Sequence, residues 1–458
     1  QCGRRRRGRR QAVGRRLAAS CGATRGDATQ VPMASDKELE DLDKYLLKRF
    51  NVLKLLGKGA YGIVWKVVEK ESGRTMALKK CFDAFRNSTD AQRTFREIIF
   101  LQELNGHENI VRLMNVFKAE SHQDLYVLFD FMETDLQHVI SGNMLQPIHV
   151  EYVTYQILKG LKYVHSAGVL HRDLKPANVL LKPNCHVRLC DFGLARSASL
   201  PTSSNPKAEA AQASALFTDY VATRWYRAPE LLLGATLYSE GVDMWSVGCI
   251  MGEMISGRPI LKGRSTMDQL EKILELTGKP SEQDLRPIVQ TSTYAKTMLE
   301  SVGHVKGMPS SSVLFILKAP PEGKALMLAT LRFNPEKRPS AEVALKDPYV
   351  AKFHLQEAEP TCDKMIRMPI ADYTKMKAAD YRAQIYQLIA QRRRQAREDG
   401  QLARDRSPEL PREPGERRSI SKTADARKGS KDSPRPGEEP LEPWAHDGGA
   451  QAPPTTPR

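Results

Sequence analysis

HRDLKPANVLLKPNCHVRLCDFGLAR, residues 171–196, is the stretch from which the rest of the chain is read. It sets His171-Arg172-Asp173 five residues ahead of Asn178, then two short alternating runs, then Asp191-Phe192-Gly193. Residues 178–181 and 186–190 alternate as strands around the turn Lys182-Pro183-Asn184, so a strand-turn-strand separates the two polar clusters. Moving a phosphoryl group from a nucleotide to a hydroxyl needs a carboxylate that orients the hydroxyl and takes its proton. It also needs oxygen ligands that hold Mg²⁺ on the phosphates. Asp173 fits the first role, Asn178 and Asp191 the second. Solvated polar turns are the bland alternative, and the order and spacing of both motifs weigh against it.

The 458-residue chain is long enough for two or three compact units, and it holds no run of eighteen apolar residues that would cross a membrane. Its seven cysteines show neither C-x-x-C spacing nor metal-ligand partners, a pattern that suits reduced thiols. The net charge of +16 first suggests nucleic acid. Residues 1–32, however, carry nine Arg and one Asp, about +8, and residues 391–458 about +3, which leaves about +5 for the middle. The excess therefore describes the tails, and no specific nucleic acid is expected as a partner.

The Arg-, Gly- and Ala-rich start cannot bury a core. An acidic-poor, Arg-rich start resembles an organelle transit peptide, but the chain opens on Gln, and the expectation is an over-extended reading frame with the working protein starting at Met33. Residues 1–44 are accordingly expected to be a disordered extension. From Phe50, two alternating runs are joined by Gly57-x-Gly59-x-x-Gly62. In a dinucleotide fold a helix would follow these glycines directly. Here a β-branched run follows, so the glycines sit on a hairpin whose backbone lies close over phosphates, with Val64 as an apolar lid on the base. Leu56, Lys58, Ala60, Tyr61 and Ala77 complete this part of the expected nucleotide site.

Lys79 falls on the third strand, where its ammonium reaches the α and β phosphates, and Glu97 in AQRTFREIIFLQEL is placed to pair with it. Leu101, one turn later, is expected to pack toward Phe192 and His171. After strands at 110–116 and 125–129, Asp130-Phe131-Met132 reads as the connection whose backbone pairs with adenine. Phe129 is expected to close the pocket behind it, Asp135 to bond the ribose, and Leu180 to form the floor. Residues 197–217 are too long and polar for a buried connection, and end at Thr218-Asp219-Tyr220 and VATRWYRAPE. Phosphates on Thr218 and Tyr220 would require cations. Arg96, Arg172 and Arg196 are placed for Thr218, with Arg224 and Arg227 near Tyr220, which makes a phosphate-ordered switch the better explanation of five arginines. Glu230 and Arg338 are expected to form a buried ion pair, and Asp243 to hold the catalytic loop from a core helix.

Thr-x-Tyr followed by VATRWYRAPE, FMETDL at residues 131–136 and an inserted segment near 262–313 resemble a eukaryotic protein kinase of the mitogen-activated type. FDAFRNSTDAQRTFREI, residues 82–98, most resembles the atypical extracellular signal-regulated kinase 7/8 group. The likeness runs from about residue 45 to about 389. It implies an α+β, two-lobed fold with a small β-rich N-lobe carrying one regulatory helix (45–131) and a large helical C-lobe (132–354). It also implies ATP and Mg²⁺, transfer to Ser or Thr, a preference for a following proline set beside Arg227, and Lys175 neutralising the transferred phosphoryl group. An upstream kinase or a phosphatase is an implied partner, as is self-phosphorylation on Thr-x-Tyr. The implied location is the cytoplasm, with nucleus and cilium as associated compartments. Two positions depart from the family pattern. Asp219 stands where Glu is frequent, and Ala358 interrupts the acidic docking patch at residues 356–360.

Residues 355–395 read as an extension carrying an amphipathic helix, with Tyr381, Ile385, Leu388 and Ile389 on one face, and 396–458 as a disordered tail. Ser407, Ser433 and Thr456, each before proline, are candidate self-phosphorylation sites. A pseudokinase scaffold is the competing class, and the presence of Lys79, Glu97, Asp173, Asn178 and Asp191 together argues against it. A cyclin-dependent type is disfavoured by Thr218-x-Tyr220.

Overall fold

The computed structural model describes residues 34–59, 62–197, 223–237, 239–302, 319–371 and 374–405. Thr218, Tyr220, Ala60, Tyr61, residues 1–33 and the Ser-Pro and Thr-Pro sites of the tail lie outside them. Described residues through Ile385 belong to one compact unit, and those from Tyr386 onward to a second.

The first unit opens with two single-turn helices, α1 (Asp36–Leu39) and α2 (Lys44–Leu47). An antiparallel sheet follows, built from β1 (Phe50–Gly59), β2 (Gly62–Glu69), β3 (Thr75–Cys81), β4 (Leu113–Lys118) and β5 (Leu125–Asp130) in the order β1-β2-β3-β5-β4. Side chains alternate across a strand, so each strand divides its residues between two faces. Ile63, Trp65 and Val67 of β2, Met76 and Leu78 of β3, and Tyr126 and Leu128 of β5 form one buried cluster with Leu42 and Leu46. The alternate residues, Val64, Ala77, Lys79 and Phe129, fall on the opposite face.

The expected boundary at residue 44 is therefore corrected: residues 34–47 are part of the folded unit. Leu39, Leu42 and Leu46 recur at three- and four-residue spacing and cover the outer face of the sheet, where Trp65 Nε1 donates to the Glu38 carbonyl at 2.8 Å. Each turn is too short to be stable alone, so the packing holds the helices rather than the reverse.

Helix α3 (Ser88–Glu103) crosses between β3 and β4. Asn87 Oδ1 caps it, accepting from Thr89 and Asp90 N–H at 2.9 and 3.0 Å. The C-lobe is helical, with α4 (Leu136–Ser141), α5 (Pro147–Ser166), α6 (Pro229–Leu232), α7 (Gly241–Ser256), α8 (Thr266–Thr277), α9 (Glu282–Val289), α10 (Ala295–Ser301), α11 (Pro321–Thr330) and α12 (Ala341–Ala344). Nearly every residue of α7 is buried, as expected of the element on which the others stack. Two small sheets lie beside them: β6 (Thr134–Asp135), β8 (Val179–Leu181) and β9 (Val187–Leu189) in the first, β7 (Val169–Leu170) and β10 (Arg196–Ser197) in the second. The strand-turn-strand read between the two motifs is thus β8-β9.

The predicted pair of Glu230 and Arg338 is buried and bidentate, at 2.7 and 2.8 Å, and the guanidinium also donates to the carbonyls of Arg332, Gly241 and Phe333. With every donor direction used, the pair costs less to bury than two bare charges.

The last helix, α13 (Ala378–Asp405), runs past the expected start of disorder at 396, through a segment rich in Ala, Arg and Gln that favours helix. Within the first unit, Tyr381 and Ile385 are fully buried, and the Tyr381 ring lies 5.5 Å from that of Phe95 on α3.

Candidate active site

The glycine-rich hairpin turns between Gly59 and Gly62, which face each other at the end of the β1-β2 ladder. A side chain at Gly62 would place its Cβ 2.1 Å from the Lys80 carbonyl oxygen, so only glycine lets β2 lie this close to β3. Lys58 departs from expectation in part. Its ammonium sits 2.7 Å from Asp41 of the N-terminal segment, which leaves its backbone for a nucleotide.

Lys79 on β3 and Glu97 on α3 meet at 3.2 Å. The Glu97 carboxylate raises the Lys79 ammonium well above the ordinary lysine range despite burial, so Lys79 stays charged. Phe192, on the turn after Asp191, is fully buried with its ring 4.7 Å from that of His171, and α3 packs on this turn. Leu101 is fully buried as well.

Asp173 is held from several sides. Lys175 Nζ donates to its Oδ2 at 2.8 Å, and Asn178 Nδ2 donates to its carbonyl at 2.8 Å and to Oδ2 at 3.2 Å. The loop beneath is pinned by Asp243 on α7, whose carboxylate accepts the N–H groups of His171 and Arg172 at 2.9 and 2.8 Å and His165 Nε2 at 2.8 Å. Arg172 takes a left-handed φ of 66°, a conformation that side chains other than glycine seldom adopt and that these bonds hold in place. Burial pushes the Asp243 carboxyl up, but the His165 hydrogen bond and charge with the Arg172 N–H carry it below its ordinary value.

Asp191 also has a left-handed φ, 64°. Burial again pushes its carboxyl up, and Lys79, Arg93 and Lys175 together bring it below the ordinary value. Arg93 was not singled out in the sequence. The signal was its position four residues before Glu97, on the same helix face. Because the Asn178 amide spends its Nδ2 on Asp173, its Oδ1 and the Asp191 carboxylate are the oxygen donors here, the chemistry that suits Mg²⁺.

Other expected contacts are more local. Asp130 accepts Arg74 Nη2 at 2.5 Å and Arg188 Nη1 at 2.8 Å, so its side chain ties the turn before β3 to β9 and its backbone alone is left for a base. Met132, two residues on, is buried. Asp135 caps α4, accepting the His138 N–H at 2.9 Å, and contacts His138 Nδ1 at 2.7 Å. Leu180 pairs with Asp135 in the small sheet, and Leu56 is partly exposed on β1. The Cys190 thiol beside Asp191 is pushed up by burial, which keeps it a poor nucleophile.

Three of the five arginines donate to backbone carbonyls. Arg96 is buried on α3; Arg172 Nη1 donates to the Leu194 carbonyl at 3.1 Å; Arg196 donates to the Ala195 carbonyl at 3.0 Å; Arg224 donates to the Arg264 carbonyl at 3.3 Å. Arg227 is extended after the single 3-10 turn Arg224–Tyr226. In the stretch 356–360, expected above as a docking patch, Glu357 is exposed, but Glu359 is buried, with its carboxylate against His354 Nδ1 and the Leu355 N–H at 2.9 and 3.0 Å. One more acidic group is thus removed from the patch that Ala358 already interrupts.

Residues 50–350 match the protein kinase domain family. The chain is 50% identical over 358 residues to Extracellular signal-regulated kinase 2 of Dictyostelium discoideum, an alignment covering 78% of this chain and 94% of that protein. It is 46% identical over 369 residues to Mitogen-activated protein kinase 15 of Xenopus laevis, covering 80% of this chain and 61% of the relative. The protein of that name from Rattus norvegicus is 46% identical over 358 residues, with 64% of its length covered. The chain spans less than two thirds of these two vertebrate relatives.

Proposed function

From the chain's membership of the protein kinase family, among the mitogen-activated protein kinases, we propose a proline-directed enzyme that transfers the γ-phosphoryl group of ATP to Ser or Thr. That the chain is a serine/threonine protein kinase follows from the family; the acceptor preference and the mode of activation are the proposal. The observation that carries it is the fixed position of Asp173, bonded by Lys175 and Asn178 above a loop that Asp243 anchors.

In this reading Asp173 orients the acceptor hydroxyl and takes up its proton. Lys175, already 2.8 Å from Asp173, offsets charge on the transferring group. Lys79, kept charged and oriented by Glu97, binds the nucleotide phosphates. Asp191 and Asn178 hold Mg²⁺, which when bound neutralises the phosphate oxygens. The backbone of residues 130–132 pairs with the base between Ala77, Val64 and Leu180. Phosphorylation of Thr218 and Tyr220, by the enzyme itself or by an upstream kinase, is the activating step. The cytoplasm is the proposed site of action, with the nucleus and cilium as further compartments.

The test is phosphate transfer by the purified chain, made without other kinases, to a Ser-Pro protein substrate, with Asp191→Asn alongside and mass spectrometry on Thr218 and Tyr220. Transfer and modification in the wild type alone supports a self-activating kinase. Silence that persists after another kinase has phosphorylated both residues overturns the catalytic reading in favour of a scaffold.

A further inference from the structure

Arg93 and Glu97 stand one helical turn apart on α3 and leave the helix on the same side. Glu97 takes Lys79. Arg93 crosses the Asp191-Phe192-Gly193 turn, bringing Nη2 to 4.0 Å from Asp191 Oδ1. A Cβ at Gly193 would lie 2.9 Å from Arg93 Nε and 3.0 Å from its Cγ, so the absence of a side chain at Gly193 is what admits this arginine. The guanidinium therefore lies against the carboxylate assigned above to the metal, on the side of the turn that faces α3.

We propose that Arg93 is a positioning residue that competes with Mg²⁺ for Asp191 and sets the cation concentration at which the nucleotide site fills. The inference rests on the reading of Asp191 as a Mg²⁺ ligand. Lys79, Arg93 and Lys175 all act on the Asp191 carboxylate, and Arg93 is the one that reaches it from α3. Before metal binds, its charge compensates a carboxylate held in a strained backbone conformation. Once a divalent ion arrives, the same charge opposes it from a few ångströms away. A guanidinium does not lose its proton in a protein, so the opposition is relieved only by movement of the side chain or of α3. Metal binding at Asp191 and the seating of the helix that carries Glu97 are thereby coupled through one residue, as any two events sharing a differential contact must be.

The experiment measures binding rather than turnover. A fluorescent ADP analogue is titrated onto the full chain at increasing free Mg²⁺, for the wild type, Arg93→Gln, Arg93→Lys and Asp191→Asn. The wild type is expected to bind the analogue more tightly as Mg²⁺ rises, and Asp191→Asn to lose that response. In Arg93→Gln the half-saturating Mg²⁺ concentration should fall about tenfold, a size consistent with one partly screened unit charge at this distance. Arg93→Lys, which keeps the charge, should stay within about threefold of the wild type. Arg93→Met, which keeps the aliphatic stem over Gly193, serves if the glutamine variant fails to fold.

An unchanged or higher Mg²⁺ requirement in the neutral variants, with a normal wild-type response, overturns the inference alone. So does a fall in Arg93→Lys equal to that in Arg93→Gln, which would make shape rather than charge responsible. A wild type with no Mg²⁺ response overturns the inference together with the assignment of Asp191.

Discussion

Lys79 and Lys80 are adjacent on β3 and serve opposite faces of one sheet. Lys79 faces Glu97 at 3.2 Å, whereas Lys80 donates to the Asp41 carbonyl at 2.8 Å and lies 3.5 and 3.7 Å from the carboxylates of Asp43 and Asp124. Substituting each by Met should separate catalysis from stability. Lys79→Met is expected to lower kcat/KM by about 10²- to 10³-fold, a loss far larger than the fall in folded fraction from unpairing Glu97. Lys80→Met leaves two half-buried carboxylates without their cation and should cost about 3 kcal/mol in urea unfolding. Loss of stability alone in the first variant and of catalysis alone in the second would reverse the assignment.

Asp243 touches no reacting atom in this scheme, yet the loop carrying Asp173 hangs from it. In Asp243→Ala the His171 and Arg172 N–H groups lose their acceptor, and the left-handed Arg172 relaxes. A kcat about 10²-fold lower is expected, because displacement of a catalytic group by about 1 Å costs that much. Affinity for the ADP analogue should stay within about threefold of wild type, since the glycine hairpin and Lys79 are untouched.

His107 gives a pH signature. Burial and then the Lys159 charge push its imidazole down to about 4, while Nδ1 accepts the Asn109 N–H at 3.1 Å and the ring stacks 4.5 Å from Tyr163. Below its ordinary value of 6.5 the unfolded chain takes up a proton that the folded chain refuses. This contribution to stability is therefore full above pH 6.5 and is lost as pH falls toward 4, with a total on the order of 3 kcal/mol. Urea unfolding of wild type and His107→Gln at pH 7 and pH 5 should show a smaller pH difference in the variant.

The N-terminal turns predict a sharp truncation boundary. A chain starting at Ala34 keeps Leu42 and Leu46 on the sheet; one starting at Arg49 exposes Trp65, Ile63 and Met76 beneath them. Burial of two leucines is worth about 3–6 kcal/mol, so the shorter chain should melt well below the longer one or aggregate on expression. Equal melting temperatures would show that the turns are dispensable.

The candidate site was legible because its members sit at short, fixed spacings: Asp173 to Asn178 along one loop, Gly57 to Gly62 along one hairpin. Lys79 and Glu97 are farther apart, but each lies on an element whose period announces it. The rest depends on contacts that no local pattern encodes. Two four-residue helices are too short to show a period, so Leu39, Leu42 and Leu46 read as an extension until Trp65 is seen beneath them. Glu359 reads as a surface acid and is buried against His354. Arg93 shares a helix face with Glu97, but that spacing does not say what it meets. What gives it meaning is Gly193, a hundred residues later.

Tyr381 packs on Phe95, and Phe95 lies on the helix that presents Glu97. The chain grows from its N-terminus, so this contact is among the last of the folded unit to become available, after both lobes have left the ribosome. Closing so long a loop is slow, and elements that await distant partners stay exposed in the meantime. A nascent chain interrupted before residue 381 would carry Asp173 and Asp191 but lack the support of the helix that sets Lys79. Premature termination at that point would yield a species that engages chaperones rather than substrates.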